Sequence, residues 1–233
     1  VCPSSRSSTS SSSRAGDGAG TGAHGPSRSL STLDIDLLHD RLRAVHGPQP
    51  GWWPARSDLE MMIGAVLVQN TRWQNVAMSI ANLERAGLLD AEAVLAADPE
   101  DLTRLIRPSG FMTAKTAAVR GLASWFLDRD RAARSLPDED LRAELLALRG
   151  IGPETADVIS LYTYGRRLFV VDAYARRLLA ADGFGLPRSY EAARRALAPA
   201  LDRSTLDADG LGQVHGLIVE EGKARAVTTS RRP

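Results

Sequence analysis

Two glycines around one isoleucine, Gly150-Ile151-Gly152, break a helical run from Leu148 to Ala156, and this break constrains the fold more than any other stretch of the chain. A helix stops there, turns tightly and restarts. Glycine takes φ > 0 without a Cβ clash and lets backbone N–H groups come close to a ligand. Pro153 suits the first position of the second helix, where its missing N–H would have had no partner. That helix aims its unpaired N–H groups and the positive end of its dipole at the turn, an arrangement that suits a phosphate. Alone, a Gly-x-Gly at a helix end is only a cap.

The order of residues downstream adds to it. Beyond the second helix comes an apolar stretch, Leu168-Phe169-Val170-Val171, then Asp172 at the start of Ala173-Tyr174-Ala175-Arg176-Arg177-Leu178-Leu179. An acid in that position is a natural N-cap. Capping could be its whole task, or the same carboxylate could face a substrate.

With Leu148 to Ala156, Val170-Val171-Asp172 and the upstream run Gly64-Ala65-Val66-Leu67-Val68-Gln69-Asn70-Thr71, the chain resembles the endonuclease III superfamily of helix-hairpin-helix DNA glycosylases, from about residue 32 to about 225. In bifunctional members of that family a lysine of the second hairpin helix attacks the sugar. Here that position holds Glu154, which cannot form an imine, so the resemblance implies hydrolysis without a covalent enzyme intermediate. The family's four-cysteine iron–sulfur motif would begin near Ala226, yet the one cysteine is Cys2, so no cluster and no cofactor are expected. Together with Trp52-Trp53-Pro54, these departures make the chain most similar to the cluster-free 3-methyladenine DNA glycosylase branch.

Helical periodicity dominates from Leu33 onward and β-branched alternation is scarce, which predicts an all-α protein of about ten helices. Ser31 or Thr32 is expected to cap a first helix over Leu33 to about Ala44. Breaks are expected near Gly87, Asp98-Pro99, Pro108-Ser109-Gly110, Pro137-Asp138, Gly165, Gly183 to Pro187 and Gly210 to Gly212. Residues 1–31, roughly one-third serine with little a core could use, are read as a disordered tail without the apolar stretch of a secretory signal. The resemblance implies two lobes: residues 50–166, ending in the hairpin, and residues 32–49 with 167–226. A net charge of +1 predicts modest non-specific DNA affinity, and four scattered histidines with one cysteine exclude a recognisable zinc site. A cytoplasmic monomer without membrane segments, acting on double-stranded DNA that carries a damaged base, is expected.

The resemblance also assigns roles. Asp172 would sit at the mouth of the cleft between the lobes, beside the sugar of a nucleotide rotated out of the duplex, where a carboxylate stabilises positive charge and handles water. Trp53 and Trp73 would stack on a cationic base, or else pack in the core, as Trp52 and Trp125 are expected to do. Glu154 either faces the pocket or only favours the helix dipole, and Lys223 either borders the pocket or is a surface lysine. Asp58 and Glu60 read as solvated acids at a helix start. Gly150, Ile151, Gly152 and Thr155 would meet the DNA backbone, and Lys115 either contacts a phosphate or is a solvated lysine near a helix start. Gln69 and Phe111 would fill the vacated stack, or else Phe111 folds back into the core from its turn. A mismatch adenine or thymine glycosylase and a non-catalytic DNA-binding relative are the alternatives. The former would share Asp172 with a different pocket, and the latter would not need it.

Overall fold

A computed structural model of the chain describes residues 27–230, with side chains through residue 226. Among the described residues the fold is all-α, with eleven helices, two short 3-10 turns and one isolated bridge between Arg28 and Phe184. The helices are α1 Ile35–His46, α2 Asp58–Leu67, α3 Trp73–Arg85, α4 Ala91–Ala96, α5 Pro99–Leu105, α6 Met112–Ala133, α7 Asp138–Ala147, α8 Pro153–Tyr162, α9 Ala173–Ala181, α10 Tyr190–Arg203 and α11 Ala208–Ser230. None of them is long and apolar enough to cross a membrane.

α2 is the central strut. Ser57 starts it by accepting the Glu60 N–H, and every residue from Leu59 to Leu67 is buried. A helix apolar on all sides needs neighbours on all sides, and α3, α6 and α8 supply them. α1, α9 and α11 pack together as a second group, with α10 holding the turn Leu30–Thr32. α8 belongs to both, touching α2 and α7 on one side and α10 and α11 on the other. The hairpin helix is thus fixed where the two groups meet.

A buried charge network holds that junction. Arg142 of α7 donates to Asp157 of α8 at 2.6 Å and to Glu191 of α10 at 2.5 Å, and the Tyr190 hydroxyl donates to Asp157 at 2.9 Å. Asp157 is fully buried, and burial pushes its carboxyl above the ordinary range despite these partners. Buried charges are tolerated when paired and hydrogen-bonded, and this network ties three helices to one another.

Three expectations change. The first helix starts two residues later than predicted, because Asp34, not Ser31 or Thr32, accepts the Leu37 N–H. The break expected at Gly210 to Gly212 is absent: α11 runs through both glycines. Residues 1–26 of the expected tail lie outside the described residues, whereas the part from residue 27 to 31 is bound to the fold. Arg28 exchanges backbone hydrogen bonds with Gly183 and Gly185 and its guanidinium lies 4.1 Å over the Phe184 ring.

Candidate active site

The hairpin forms as its glycines dictate, but the two do different work. Gly150 has φ +88°, and a Cβ there would come within 2.8 Å of Ala118 Cβ. Gly152 is extended, caps α8 without a side-chain bond, and a Cβ there would meet nothing within 4 Å. The approach to the first-turn N–H groups of α8 is therefore open. Ile151 is buried and anchors the turn, so its side chain is not a DNA contact.

Two polar residues assigned to DNA are instead turned inward. The Thr155 hydroxyl is buried and accepts from Gln69 Nε2 at 2.9 Å, and the same amide donates to Gly150 O at 3.0 Å. Both amide hydrogens of Gln69 are thus taken up in joining the end of α2 to the hairpin. Lys115 departs further from expectation. It is 4 % exposed, and its ammonium donates to Leu67 O at 2.8 Å, Gln69 O at 2.9 Å and Ser109 O at 2.7 Å. Burial pushes its pKa down, and three carbonyls replace the water it gives up, so no donor remains for a phosphate. Phe111 is 67 % exposed and does not fold back into the core, in a left-handed conformation with φ 49° at the start of α6. A non-glycine residue there is uncommon and costs strain.

Asp172 divides its oxygens between two roles. Oδ1 caps α9 by accepting the Ala175 N–H at 2.7 Å. Oδ2 lies 3.7 Å from Nε2 of His215, a buried histidine of α11. The other ring nitrogen, Nδ1, is 2.9 Å from the Tyr162 hydroxyl, which also bonds Gly212 O at 2.9 Å. From this corner rings run in contact across the molecule: His215 to Trp52 at 5.4 Å, Trp52 to Trp53 at 6.1 Å, and Trp53 to Trp73 at 5.5 Å. Glu154 feels the same corner. Its carboxyl is pushed up, first by the protein crowding it and next by the charge of Asp172, although the side chain keeps an open face to solvent.

Trp53 and Trp73 are half-buried and wall a cleft of about 190 Å³ between α2 and α3. Gly64 leaves room for the indole, since a Cβ there would stand 3.3 Å from Trp53 Nε1. Glu60 also lines this cleft and is buried, not solvated as expected, because Arg56 donates to its carboxylate. Lys223 is exposed and bound to Glu220 at 2.8 Å, with its ammonium 5.9 Å from the Trp52 ring centre. Trp52 donates to the same Glu220 at 3.2 Å. It therefore belongs to the line of rings and links Lys223 to His215.

The glycines of α11 explain how these rings fit. A Cβ at Gly212 would meet Tyr162 Cε1 at 3.1 Å, and one at Gly216 would meet Trp52 Cγ at 2.5 Å. An alanine within a helix ordinarily gains about 1 kcal/mol over glycine. Gly216→Ala is expected to do the reverse, lowering the melting temperature and shifting tryptophan fluorescence as Trp52 is pushed aside. A higher melting temperature with unchanged fluorescence would show that the ring has slack.

Tyr162 and His215 are the site residues that sequence reasoning did not find. The one available signal was Gly212-x-x-His215-Gly216, which puts a histidine between helical glycines on an apolar face. Such a histidine ordinarily reads as a satisfied core residue, and only the tertiary fold brings it to Asp172.

The HhH-GPD superfamily of base excision DNA repair proteins matches residues 63–201. A Methanocaldococcus jannaschii protein named as a DNA repair glycosylase is 35% identical over 195 residues, 81% of this chain and 87% of its own length. Endonuclease III of Sulfolobus acidocaldarius is 25% identical over 180 residues, 76% of this chain and 77% of that protein. Among solved structures, the 3-methyladenine DNA glycosylase of H. pylori bound to 1,N6-ethenoadenine superimposes with a TM-score of 0.72 at 25% identity. That match covers 83% of this chain and 99% of the other.

Proposed function

The chain belongs to the HhH-GPD superfamily of base excision DNA repair proteins as a DNA glycosylase, and we propose that it hydrolyses alkylated purines, 3-methyladenine among them, without lyase activity. One observation carries this reading: Asp172 commits only Oδ1 to a hydrogen bond, and its Oδ2 faces the corner that also holds Glu154 and His215, from which the line of tryptophans starts. Breaking an N-glycosidic bond builds positive charge on the sugar, and a fixed carboxylate stabilises it. A purine alkylated at N3 is already cationic and departs neutral, so it needs little protonation. Indole faces recognise such a cation. The similarity to a 3-methyladenine DNA glycosylase with an ethenoadenine in place supports the same substrate class.

Glu154 supports the second half of the proposal. A carboxylate cannot form the imine on which strand cleavage by lyase chemistry depends. Phe111, exposed in a strained backbone, is suited to enter the stack when the target nucleotide rotates out. The open turn at Gly152 offers backbone N–H groups to phosphate.

The test is release of free bases from dimethyl sulfate-treated duplex DNA, identified by chromatography, with borohydride in a parallel reaction. Release of 3-methyladenine without a trapped adduct is the expected result. A trapped adduct would overturn hydrolysis, and release only from mismatched duplexes would overturn the substrate class. Trp53→Ala is expected to slow release of cationic purines about 10-fold at unchanged helix content. A parallel loss of helix content would assign that ring to the core.

A further inference from the structure

We propose that His215 is a catalytic residue that holds the hydrolytic water jointly with Asp172 and takes its proton. The inference rests on the hydrolytic reading of Asp172 but not on which base is released.

The hydrogen bonds around Tyr162 lead to it. The hydroxyl lies 2.9 Å from Gly212 O and 2.9 Å from His215 Nδ1, and it has one hydrogen. Gly212 O can only accept. Both bonds are satisfied together only when the hydroxyl donates to Gly212 O and accepts from Nδ1–H of His215. Neutral His215 then carries no hydrogen on Nε2, and this bare nitrogen faces Asp172 Oδ2 at 3.7 Å. Two acceptors cannot bond each other directly, and this separation is short enough for one water to donate a hydrogen to each.

A water held this way keeps its lone pairs free, which is what attack on a sugar carbon requires. As its oxygen bonds to C1′, the bond from C1′ to the base breaks and its electron pair leaves with the base. One water O–H bond breaks and the proton passes to Nε2. An imidazole is ordinarily a stronger base than a carboxylate, so this division leaves Asp172 anionic while positive charge builds on the sugar. The imidazolium that forms faces that anion. Trp52 and Tyr162 flank the ring at 5.4 and 5.7 Å and fix its plane. Besides Asp172, the ionisable groups facing this corner are Glu154 and Tyr162 of α8, with Asp209 at the start of α11 and Arg176 of α9 farther out. Burial and the nearby acids push Tyr162 far above its ordinary value, so it holds its hydrogen throughout.

Single-turnover base release should be followed against pH for the wild type, His215→Gln, Tyr162→Phe and Glu154→Gln, using whichever damaged or mismatched duplex the wild type cleaves. His215→Gln is expected to lose at least ~100-fold in rate. It should also lose the fall in rate toward acid pH that is expected of a wild type whose base is a histidine. Glu154→Gln should keep that fall, and Tyr162→Phe, which strips His215 Nδ1–H of its acceptor, should lie between wild type and His215→Gln when assayed below its lowered melting temperature. A His215→Gln profile like the wild type's, or one lowered equally at every pH, would overturn the inference. Nitrogen-15 NMR of the histidine rings tests it without any substrate, His215→Gln identifying the signal. A neutral ring protonated on Nδ1 is expected, and one protonated on Nε2 would overturn the proposal. Absence of base release from every duplex would overturn the glycosylase reading instead, leaving the ring's tautomer to be decided by NMR.

Discussion

Asp172→Asn is expected to abolish base release while leaving helix content and duplex binding in place. The structure makes this substitution unusually clean. Oδ1 caps α9 through the Ala175 N–H, and asparagine is as good an N-cap as aspartate, so the helix start survives. The negative charge is lost, and with it the stabilisation of the sugar as it becomes cationic. Removing one preorganised group of this kind costs about 10²- to 10³-fold in rate, and the loss of a full charge lies at or beyond the upper end of that range. Asp172→Ala would add a loss of about 1 kcal/mol in stability by removing the cap, which separates the two roles of the side chain. The check is single-turnover release from methylated duplex beside circular dichroism and a DNA mobility assay. Wild-type rates in Asp172→Asn would return the residue to capping alone.

How far the sequence could lead is visible in where each prediction rested. The Gly150-Ile151-Gly152 turn, Pro153 at the start of α8 and Asp172 at the cap of α9 were legible because each is decided within one or two turns of chain. Trp125 was legible as core from its apolar helical face and is 8 % exposed. What failed was decided by partners distant in sequence. Glu60 looks like a solvated acid until Arg56 and the cleft wall of Trp53 and Trp73 are placed around it. Gly210 and Gly212 look like a break, yet α11 is continuous and Gly212 and Gly216 make room for Tyr162 and Trp52. Composition cannot distinguish a glycine that ends a helix from one that lets an aromatic ring lie against it. The residue that completes the corner, His215, carries only the local mark of its flanking helical glycines, which reads as core packing until the fold brings it to Asp172.

Lys115→Met is expected to cause the largest loss of stability among single substitutions at the site, and it reverses the surface role the sequence suggested. Three carbonyls, Leu67 O, Gln69 O and Ser109 O, point at one ammonium. Methionine fills similar volume but leaves these buried acceptors facing a thioether. Unsatisfied buried acceptors cost about 1–3 kcal/mol each, so a loss on the order of 3 kcal/mol is expected even if the loops relax to admit water. The consequence reaches function because of what the ammonium joins. Leu67 and Gln69 end the central helix α2, and Ser109 lies two residues before Phe111. The lysine therefore sets the distance between the loop that braces the hairpin and the aromatic side chain suited to enter the duplex. Below its lowered melting temperature, the Lys115→Met variant is expected to keep the Asp172 corner intact yet open duplexes poorly. Release from a single-stranded or mismatched target should then fall less than release from a paired one. Chemical denaturation gives the first quantity, and the ratio of paired to unpaired rates gives the second. A variant as stable as the wild type would mean that the three carbonyls find water easily, and an unchanged ratio would mean that Phe111 is positioned without this clamp.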